Sequence, residues 1–167
     1  MRLSVLTYAV ILTGVIVWCG GILLAPVCTA AGGDGATVGQ ALYQFYQPIC
    51  HQIPERSFSV AAHPLGVCVR CSSIYFAFLA GTLLFPFFRP FVNPDVPARW
   101  ILLVAAVPML IDATWIGPWL YQVTSLTRTI SGAFFGLVLP FVLLPAALQA
   151  VRELFSNVYQ QKGFSDA

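Results

Sequence analysis

Long apolar stretches separated by short polar segments dominate the chain and predict membrane-spanning helices. Four such stretches cover residues 3–27, 73–88, 100–116 and 130–151. A helix needs about 20 mostly apolar residues to cross a hydrocarbon core about 30 Å thick. The second stretch is short, but its aromatic residues suit the membrane interface. The pattern predicts one all-α domain over residues 1–167, a polytopic membrane protein built as a bundle of four transmembrane helices.

Composition supports lipid as the surrounding solvent and the bilayer as the main partner. The chain is 59% hydrophobic and 8% charged, whereas soluble domains carry about 25% charged residues. The net charge is only +2, and no Lys/Arg-rich stretch is present, so the sequence indicates no nucleic-acid partner.

The basic residues predict an orientation in the membrane. A cytoplasmic N-terminus puts five of them inside and three outside, and basic residues prefer the cytoplasmic side. The inside group is Arg2, Arg89, Arg99, Arg152 and Lys162, and the outside group is Arg56, Arg70 and Arg128. We therefore expect both termini to be cytoplasmic and the loop between helices one and two, residues 44–72, to lie outside and cap the bundle.

That loop contains a dense group of metal-binding side chains. Cys68 and Cys71 form a C-x-x-C pair, a common half-site for zinc. Cys50 can supply a third sulfur. His63 is the preferred fourth ligand, because His51 adjoins Cys50 and adjacent side chains usually diverge. The sequence predicts a zinc site of these four ligands, since zinc suits a mixed sulfur–nitrogen tetrahedron. His51 then lies beside the metal as a catalytic candidate.

Other readings of the same cysteines remain open. Cys68 and Cys71 precede helix two, where Ser72 or Ser73 can cap the helix, and Arg70 lies between them. A helix N-terminus and a nearby cation both favour a reactive thiolate. The pair could therefore be a redox dithiol coupled to a membrane quinone, an architecture similar to the quinone-linked disulfide-generating enzymes. A structural disulfide is the third interpretation of these cysteines. For the protein as a whole, a role as a small transporter or an assembly factor is a further alternative.

Charged side chains near the loop predict an anion pocket. Asp112 lies at membrane depth, where an ionisable group is costly and is a candidate for function, including catalysis. It needs a basic partner, either as a salt bridge between helices or to orient a ligand histidine or an anion-binding arginine. The available arginines are Arg56, Arg70 and Arg128. Framed by Tyr43, Tyr46 and Tyr75, they predict a site for a lipid or another anionic small molecule, bound through a carboxylate or phosphate.

Gly132 and Gly136 form a G-x-x-x-G pattern in the fourth stretch. Small residues at this spacing let two helices approach closely in a membrane. The pattern predicts close packing within one chain, and homodimerisation is the alternative.

Two sequence blocks resemble a family of uncharacterised small membrane proteins of bacteria and archaea. The family's first block is C-H-Q/R-x-P-E-R-S-F, and its second is H-x4-C-x-R-C running into I-Y. Matches to the first block are Cys50, His51, Pro54, Arg56, Ser57 and Phe58. Matches to the second block are His63, Cys68, Arg70, Cys71, Ile74 and Tyr75.

The resemblance extends to the later part of the chain, where residues 108–112 and 126–132 are similar to P-x3-D and L-x-R-x-x-x-G patterns. The chain departs from the family at Gly66, Ser73 and Ala113, where Pro, Gly and Gly are usual. The resemblance implies that the cysteine cluster works as a unit in the inner membrane of a bacterial or archaeal cell. It implies no particular activity.

Overall fold

The computed structural model describes residues 2–90, 97, 100–114 and 124–165, and the side chains of these residues except 113 and 158–165. The described chain is helical apart from one connecting segment. Its helices are α1 (Arg2–Ala31), α2 (Gly33–Tyr46), α3 (Val69–Phe88), α4 (Trp100–Ala113) and α5 (Ser125–Ser165). The segment between α2 and α3 contains a 3-10 turn, Pro54–Arg56, and the antiparallel strands β1 (Ser59–Val60) and β2 (His63–Pro64).

Three helices of the described chain are long and apolar enough to cross a membrane. They are α1, α3 and the part of α5 over Ser125–Asn157. The predicted third crossing, residues 100–116, is represented by α4, an apolar helix of 14 residues and about 21 Å. Residues 115–116 lie outside the described part of the chain. The predicted polytopic, helical architecture is confirmed, and the predicted count of four crossings is not.

Helix α3 begins earlier than the sequence predicted. It starts at Val69 rather than 73, and Cys68 is its N-cap residue. Ser72 and Ser73 do not cap the helix, because their hydroxyls donate to the carbonyl oxygen of Val69 at 2.9 and 2.7 Å. Cys71 therefore lies in the first turn of α3 and not in a loop extending to residue 72.

Helix α5 also begins earlier than the predicted residue 130, because a capping box marks its start. The backbone N–H of Thr127 donates to Thr124 Oγ1 at 3.3 Å, and the backbone N–H of Thr124 donates to Thr127 Oγ1 at 3.0 Å. Such reciprocal bonds satisfy backbone donors that a helix N-terminus leaves unpaired. Arg128 consequently lies in the first turns of α5.

No element was predicted for residues 28–43, where the structure has a tight reversal into α2. Gly32 and Gly33 take φ values of 71° and 53°, a left-handed conformation that glycine adopts without steric cost. Helix α2 then runs back along α1, and the Tyr46 hydroxyl donates to the Trp18 carbonyl oxygen at 2.8 Å. The end of α2 is thereby held about 25 Å along α1 from its first residue.

Glycines allow α5 to pack directly on α3. A Cβ atom on Gly132 would lie 2.9 Å from the Arg70 carbonyl oxygen, and one on Gly136 would overlap the backbone of Ile74. These contacts confirm that the G-x-x-x-G pattern mediates close packing within the chain.

Hydrogen bonds at the end of the bundle opposite the cysteines show the relative directions of α1, α3 and α5. The Tyr8 hydroxyl donates to the Thr82 carbonyl oxygen at 2.9 Å, so the start of α1 lies beside the end of α3. The Arg152 guanidinium donates to Ser4 Oγ at 2.8 and 2.9 Å, which brings the later part of α5 to the same end. Helices α3 and α5 are therefore parallel, and both N-termini lie at the opposite end, with the cysteines.

Candidate functional site

Cys50 is placed by the turn that follows α2. Its backbone N–H donates to the Tyr46 carbonyl oxygen at 3.1 Å, and its side chain belongs to a buried cluster with Ile22, Tyr46 and Val67. Only 5% of Cys50 is exposed. The turn therefore places the Cys50 sulfur beside the N-terminus of α3.

Three sulfur atoms meet at that helix end. The Sγ atoms of Cys50, Cys68 and Cys71 all lie within 4.8 Å of one another. The backbone N–H of Cys68 donates to Cys50 Sγ at 3.1 Å, a bond that favours a thiolate there. In a tetrahedral zinc site with Zn–S bonds of about 2.3 Å, sulfur atoms are about 3.8 Å apart. The triangle of sulfurs is of the size that one metal ion would need.

The electrostatic surroundings favour an ionised sulfur at Cys68. Its pKa is lowered to about 5, chiefly because the Cys71 thiol donates a hydrogen bond to it, with a further side-chain hydrogen bond from Cys50. Its place at the N-cap of α3 adds the positive end of the helix dipole. All five cysteines are free thiols. The cluster therefore has the thiolate-forming chemistry of a metal ligand or a reactive thiol.

The two histidines occupy different places. His63 lies in β2, where the hairpin pairs it with Val60, and it is not part of the sulfur group among the described residues. His51 is exposed and lines the cavity in front of the sulfurs. The structure thus brings together three of the four predicted ligands and leaves His63 outside, and it places His51 nearer to the open side of the cluster.

A cavity of about 380 Å³ opens on the sulfur group. Its walls include all three thiols, the His51 side chain and the arginines Arg56, Arg70 and Arg128. Small-molecule sites usually have volumes of about 300–1,000 Å³. The cavity is therefore large enough for a small ligand that contacts both sulfur and guanidinium groups.

Asp112 lies behind Arg70 and fixes its position. Arg70 Nη2 donates to Asp112 Oδ2 at 2.8 Å and to the Asp112 carbonyl oxygen at 3.0 Å. The Ser131 hydroxyl donates to the same Oδ2 at 3.2 Å. The carboxylate is fully buried and is not part of the cavity wall. Asp112 therefore joins α3, α4 and α5, and it orients an arginine of the cavity, as one reading of the sequence predicted.

Two arginines of the cavity retain unused donors. The Nε atoms of Arg70 and Arg128 are buried and have no hydrogen-bond partner among the described residues. Buried donors are usually paired. Arg70 and Arg128 both line the cavity, so each has a buried, unused donor on a side chain that a bound anion would contact.

Gln52 is a residue of the site that the sequence interpretation missed. Its side-chain amide donates to the carbonyl oxygens of Tyr43 and Gly66 at 2.8 and 2.7 Å. Its φ is 51°, a left-handed conformation that is rare for a residue with a Cβ. Gln52 clamps the loop that carries Cys50 and His51. The signal was its place in the C-H-Q block quoted above.

Tyr75 packs against the buried cluster that contains Cys50. Its ring packs edge-on against Trp18 with centroids 5.6 Å apart. Both side chains line a second cavity, apolar and about 400 Å³ in volume, within the helical bundle. Trp18 Nε1 is buried and unpartnered there. Tyr75 therefore lines this second cavity, and it is not among the residues that line the arginine cavity it was predicted to frame.

Comparisons with known proteins place these features in a family. A family described as "Predicted membrane protein (DUF2085)" matches residues 50–156, a range that contains all the residues of the arginine cavity except Ile49. An uncharacterized protein of Methanocaldococcus jannaschii is 30% identical over 151 residues, which cover 89% of this chain and 97% of that protein. No solved structure matches. The chain therefore belongs to the DUF2085 family of predicted membrane proteins.

Proposed function

We propose that the protein binds one zinc ion at the membrane surface through Cys50, Cys68 and Cys71. The observation that carries the proposal is the approach of the three Sγ atoms to within 4.8 Å of one another. A redox dithiol needs only two sulfurs, whereas a metal site uses all three. Zinc suits this set because thiolates bind it well and it prefers tetrahedral geometry.

A zinc ion held by these three sulfurs would keep one coordination position open, and all three cysteines line the arginine cavity. Catalytic zinc sites combine three protein ligands with a water molecule or substrate, and zinc lowers the pKa of its bound water to about 7. The reaction class that fits is hydrolysis of an anionic substrate at the membrane surface. His51 on the cavity wall would exchange protons with water or substrate, and Asp112 would hold Arg70 in place.

The membrane topology that we propose has four crossings, with the apolar stretch of residues 100–116 as the third. Both termini lie in the cytoplasm of a bacterial or archaeal cell, and the cavity faces outward. Arg2, Arg89 and Arg152 lie at the end of the bundle opposite the cysteines, and these basic residues support a cytoplasmic location of that end. Arg99 and Lys162 add to the basic residues that the sequence assigns to the same side. Reporter fusions at the C-terminus test the topology: a fluorescent protein should be active there, and an alkaline phosphatase inactive.

Metal analysis of purified protein tests the zinc site. Protein prepared in mild detergent without reductant or chelator should contain about one zinc per chain. Cys68→Ser and Cys71→Ser should lose the metal, because two sulfurs and a hydroxyl bind zinc poorly. Cys28→Ser is the matched control, since Cys28 lies outside the sulfur group. A metal-free wild type, prepared from cells grown with added zinc, would overturn the proposal.

A thiol–disulfide oxidoreductase is the second candidate, and two observations favour it. The lowered pKa of Cys68 suits a nucleophilic thiol, and the apolar cavity beside Tyr75 and Trp18 has room for a quinone ring. The dithiol would give two electrons and two protons to the quinone and become a disulfide. In the metal analysis, this function predicts no zinc, two thiols lost from the count without reductant, and an extractable quinone.

A further inference from the structure

The arginine cavity has the donors and charge of a phosphate site. We propose that Arg70, Arg128 and Arg56 bind the phosphate group of a membrane lipid or of a free phosphate compound. The inference deepens the proposed function and rests on it, with the zinc site as one wall of the cavity. A phosphate group is then the class of ligand that would bind next to the metal.

Unpaired buried donors are the first support. Asp112 uses Nη2 of Arg70 and leaves its Nε buried without a partner, and Nε of Arg128 is in the same condition. The N–H groups of an arginine make strong, charge-assisted hydrogen bonds to phosphate oxygens. Both residues line the cavity, so a phosphate bound there would offer an acceptor to either Nε once the side chain turned toward it.

Charge is the second support. Three guanidinium groups line the cavity, and the Asp112 carboxylate neutralises one of them. A zinc ion with three thiolates carries one net negative charge. The site therefore remains cationic with the metal bound, which favours an anionic ligand.

The arrangement of the arginines favours phosphate over carboxylate. Arg56 comes from the 3-10 turn, Arg70 from the start of α3 and Arg128 from the start of α5. Three guanidinium groups that approach from separate elements are better served by several acceptor oxygens in different directions than by the two oxygens of a planar carboxylate. The tetrahedral oxygens of phosphate supply them. The N-termini of α3 and α5 lie at the same end and add their dipoles to the attraction.

Apolar residues at the cavity make a lipid the favoured source of that phosphate. Ile49 and Ile53 line it with 45% and 36% of their surfaces exposed. The cavity lies at the N-terminus of α3, whose 20 residues extend about 30 Å and match the hydrocarbon core. A headgroup can therefore enter from the interface while its chains stay in the membrane.

Binding measurements in a neutral detergent test the proposal, with zinc content measured on every sample. The probes are dihexanoyl phosphatidic acid, inorganic phosphate and dihexanoyl phosphatidylcholine. Phosphatidic acid should bind saturably. Arg128→Gln should weaken its binding at least about tenfold, because a hydrogen bond to a charged group is lost. Arg128→Lys should recover only part of the affinity, since it keeps the charge and loses the planar guanidinium group.

Arg89→Gln is the matched control, because it removes the same charge at the far end of α3. Arg56→Gln is the second variant if Arg128→Gln does not fold. Binding of phosphatidic acid alone identifies a lipid ligand, and equal binding of inorganic phosphate identifies a free phosphate. Equal affinities of Arg128→Gln and Arg89→Gln, or no binding of any phosphate probe to zinc-loaded protein, overturn the inference and leave the zinc site standing. If the wild-type protein binds phosphatidic acid through its arginines but takes up no zinc, the proposed function is overturned instead.

Discussion

Arg70 Nη2 donates to both the side chain and the backbone carbonyl of Asp112, at 2.8 and 3.0 Å. Arg70 is one of the two residues between Cys68 and Cys71 in the chain, so the segment that spaces these two sulfurs is also tied to α4. The carboxylate is fully buried, whereas 23% of the Arg70 side chain is exposed. The pair therefore connects the interior of the bundle to the cavity.

Removing the carboxylate should destabilise the bundle. Asp112→Ala leaves the partly buried guanidinium of Arg70 and the Ser131 hydroxyl without their shared acceptor. We expect a loss of about 3 kcal/mol, the lower end of the range for breaking a buried pair, because Arg70 is partly exposed. Thermal unfolding in detergent, followed by circular dichroism, measures it. Asp112→Asn keeps an acceptor oxygen and should be intermediate, and wild-type stability of Asp112→Ala would contradict a structural role for the pair.

Filling the contact between α3 and α5 should separate these helices. In Gly132→Ala the new methyl group would lie 2.9 Å from the backbone oxygen of Arg70, which cannot easily move. We expect a loss of about 1–3 kcal/mol, as for an overpacked core. Gly20→Ala is the matched control, because a Cβ there has no neighbour within 4 Å, and it should be neutral or stabilising. Light scattering should give the same oligomeric state for both variants, and dissociation of an oligomer by Gly132→Ala would show that the glycine mediates dimerisation.

The hydrogen bond from Cys71 should control the ionisation of Cys68. In chelator-treated protein, Cys68 should react with iodoacetamide as a thiolate above pH 5 and lose reactivity as the pH falls through about 5, its lowered pKa. Cys71→Ala removes the largest cause of the shift, so the midpoint should rise toward the 8.5 of an ordinary thiol. Mass spectrometry of the Cys68 peptide reports the midpoint. Cys28→Ala should leave it unchanged, and a midpoint near 5 in Cys71→Ala would refute this cause.

The side-chain amide of Gln52 should determine how firmly the loop positions Cys50, the proposed zinc ligand. Gln52→Ala leaves the carbonyl oxygens of Tyr43 and Gly66 without that donor, a cost of about 1–3 kcal/mol for buried groups. We expect weaker zinc binding in competition with a chelator. Gln52→Gly tests the backbone separately: it relieves the positive φ and should still bind zinc weakly. Gln44→Ala, at an exposed position, is the matched control and should bind zinc like the wild type. A wild-type zinc affinity in Gln52→Ala would mean that other contacts order the loop.

Hydrophobic pattern predicted the helices that face lipid, because long apolar runs have no other stable placement. It did not predict α2, which has three glycines, Gly33, Gly35 and Gly39, among its 14 residues. Its order comes from packing on α1, as the Tyr46–Trp18 bond shows. The start of α5 was missed because its capping box has Thr127 where Glu or Gln is usual.

The sulfur cluster was predictable from spacing, and its fourth ligand was not. His63 follows a hairpin turn in which Ala61 and Ala62 have φ values of 51° and 63°. Such turns are normally recognised by Asn-Gly or similar residues, so two alanines gave no signal of the hairpin that holds His63 away from the cysteines. The pairing of Asp112 with a basic residue followed from the cost of an isolated charge in a membrane.

The contact between Cys50 and Cys68 has a consequence for assembly of the chain. These residues are 18 positions apart, and they enclose the 3-10 turn and the β-hairpin. A bridge that closes a loop of about 15 residues removes roughly 3 kcal/mol of chain entropy from the unfolded state. A metal shared by the two sulfurs would act in the same way, so metal binding would also stabilise the folded form of the 3-10 turn and the hairpin between them.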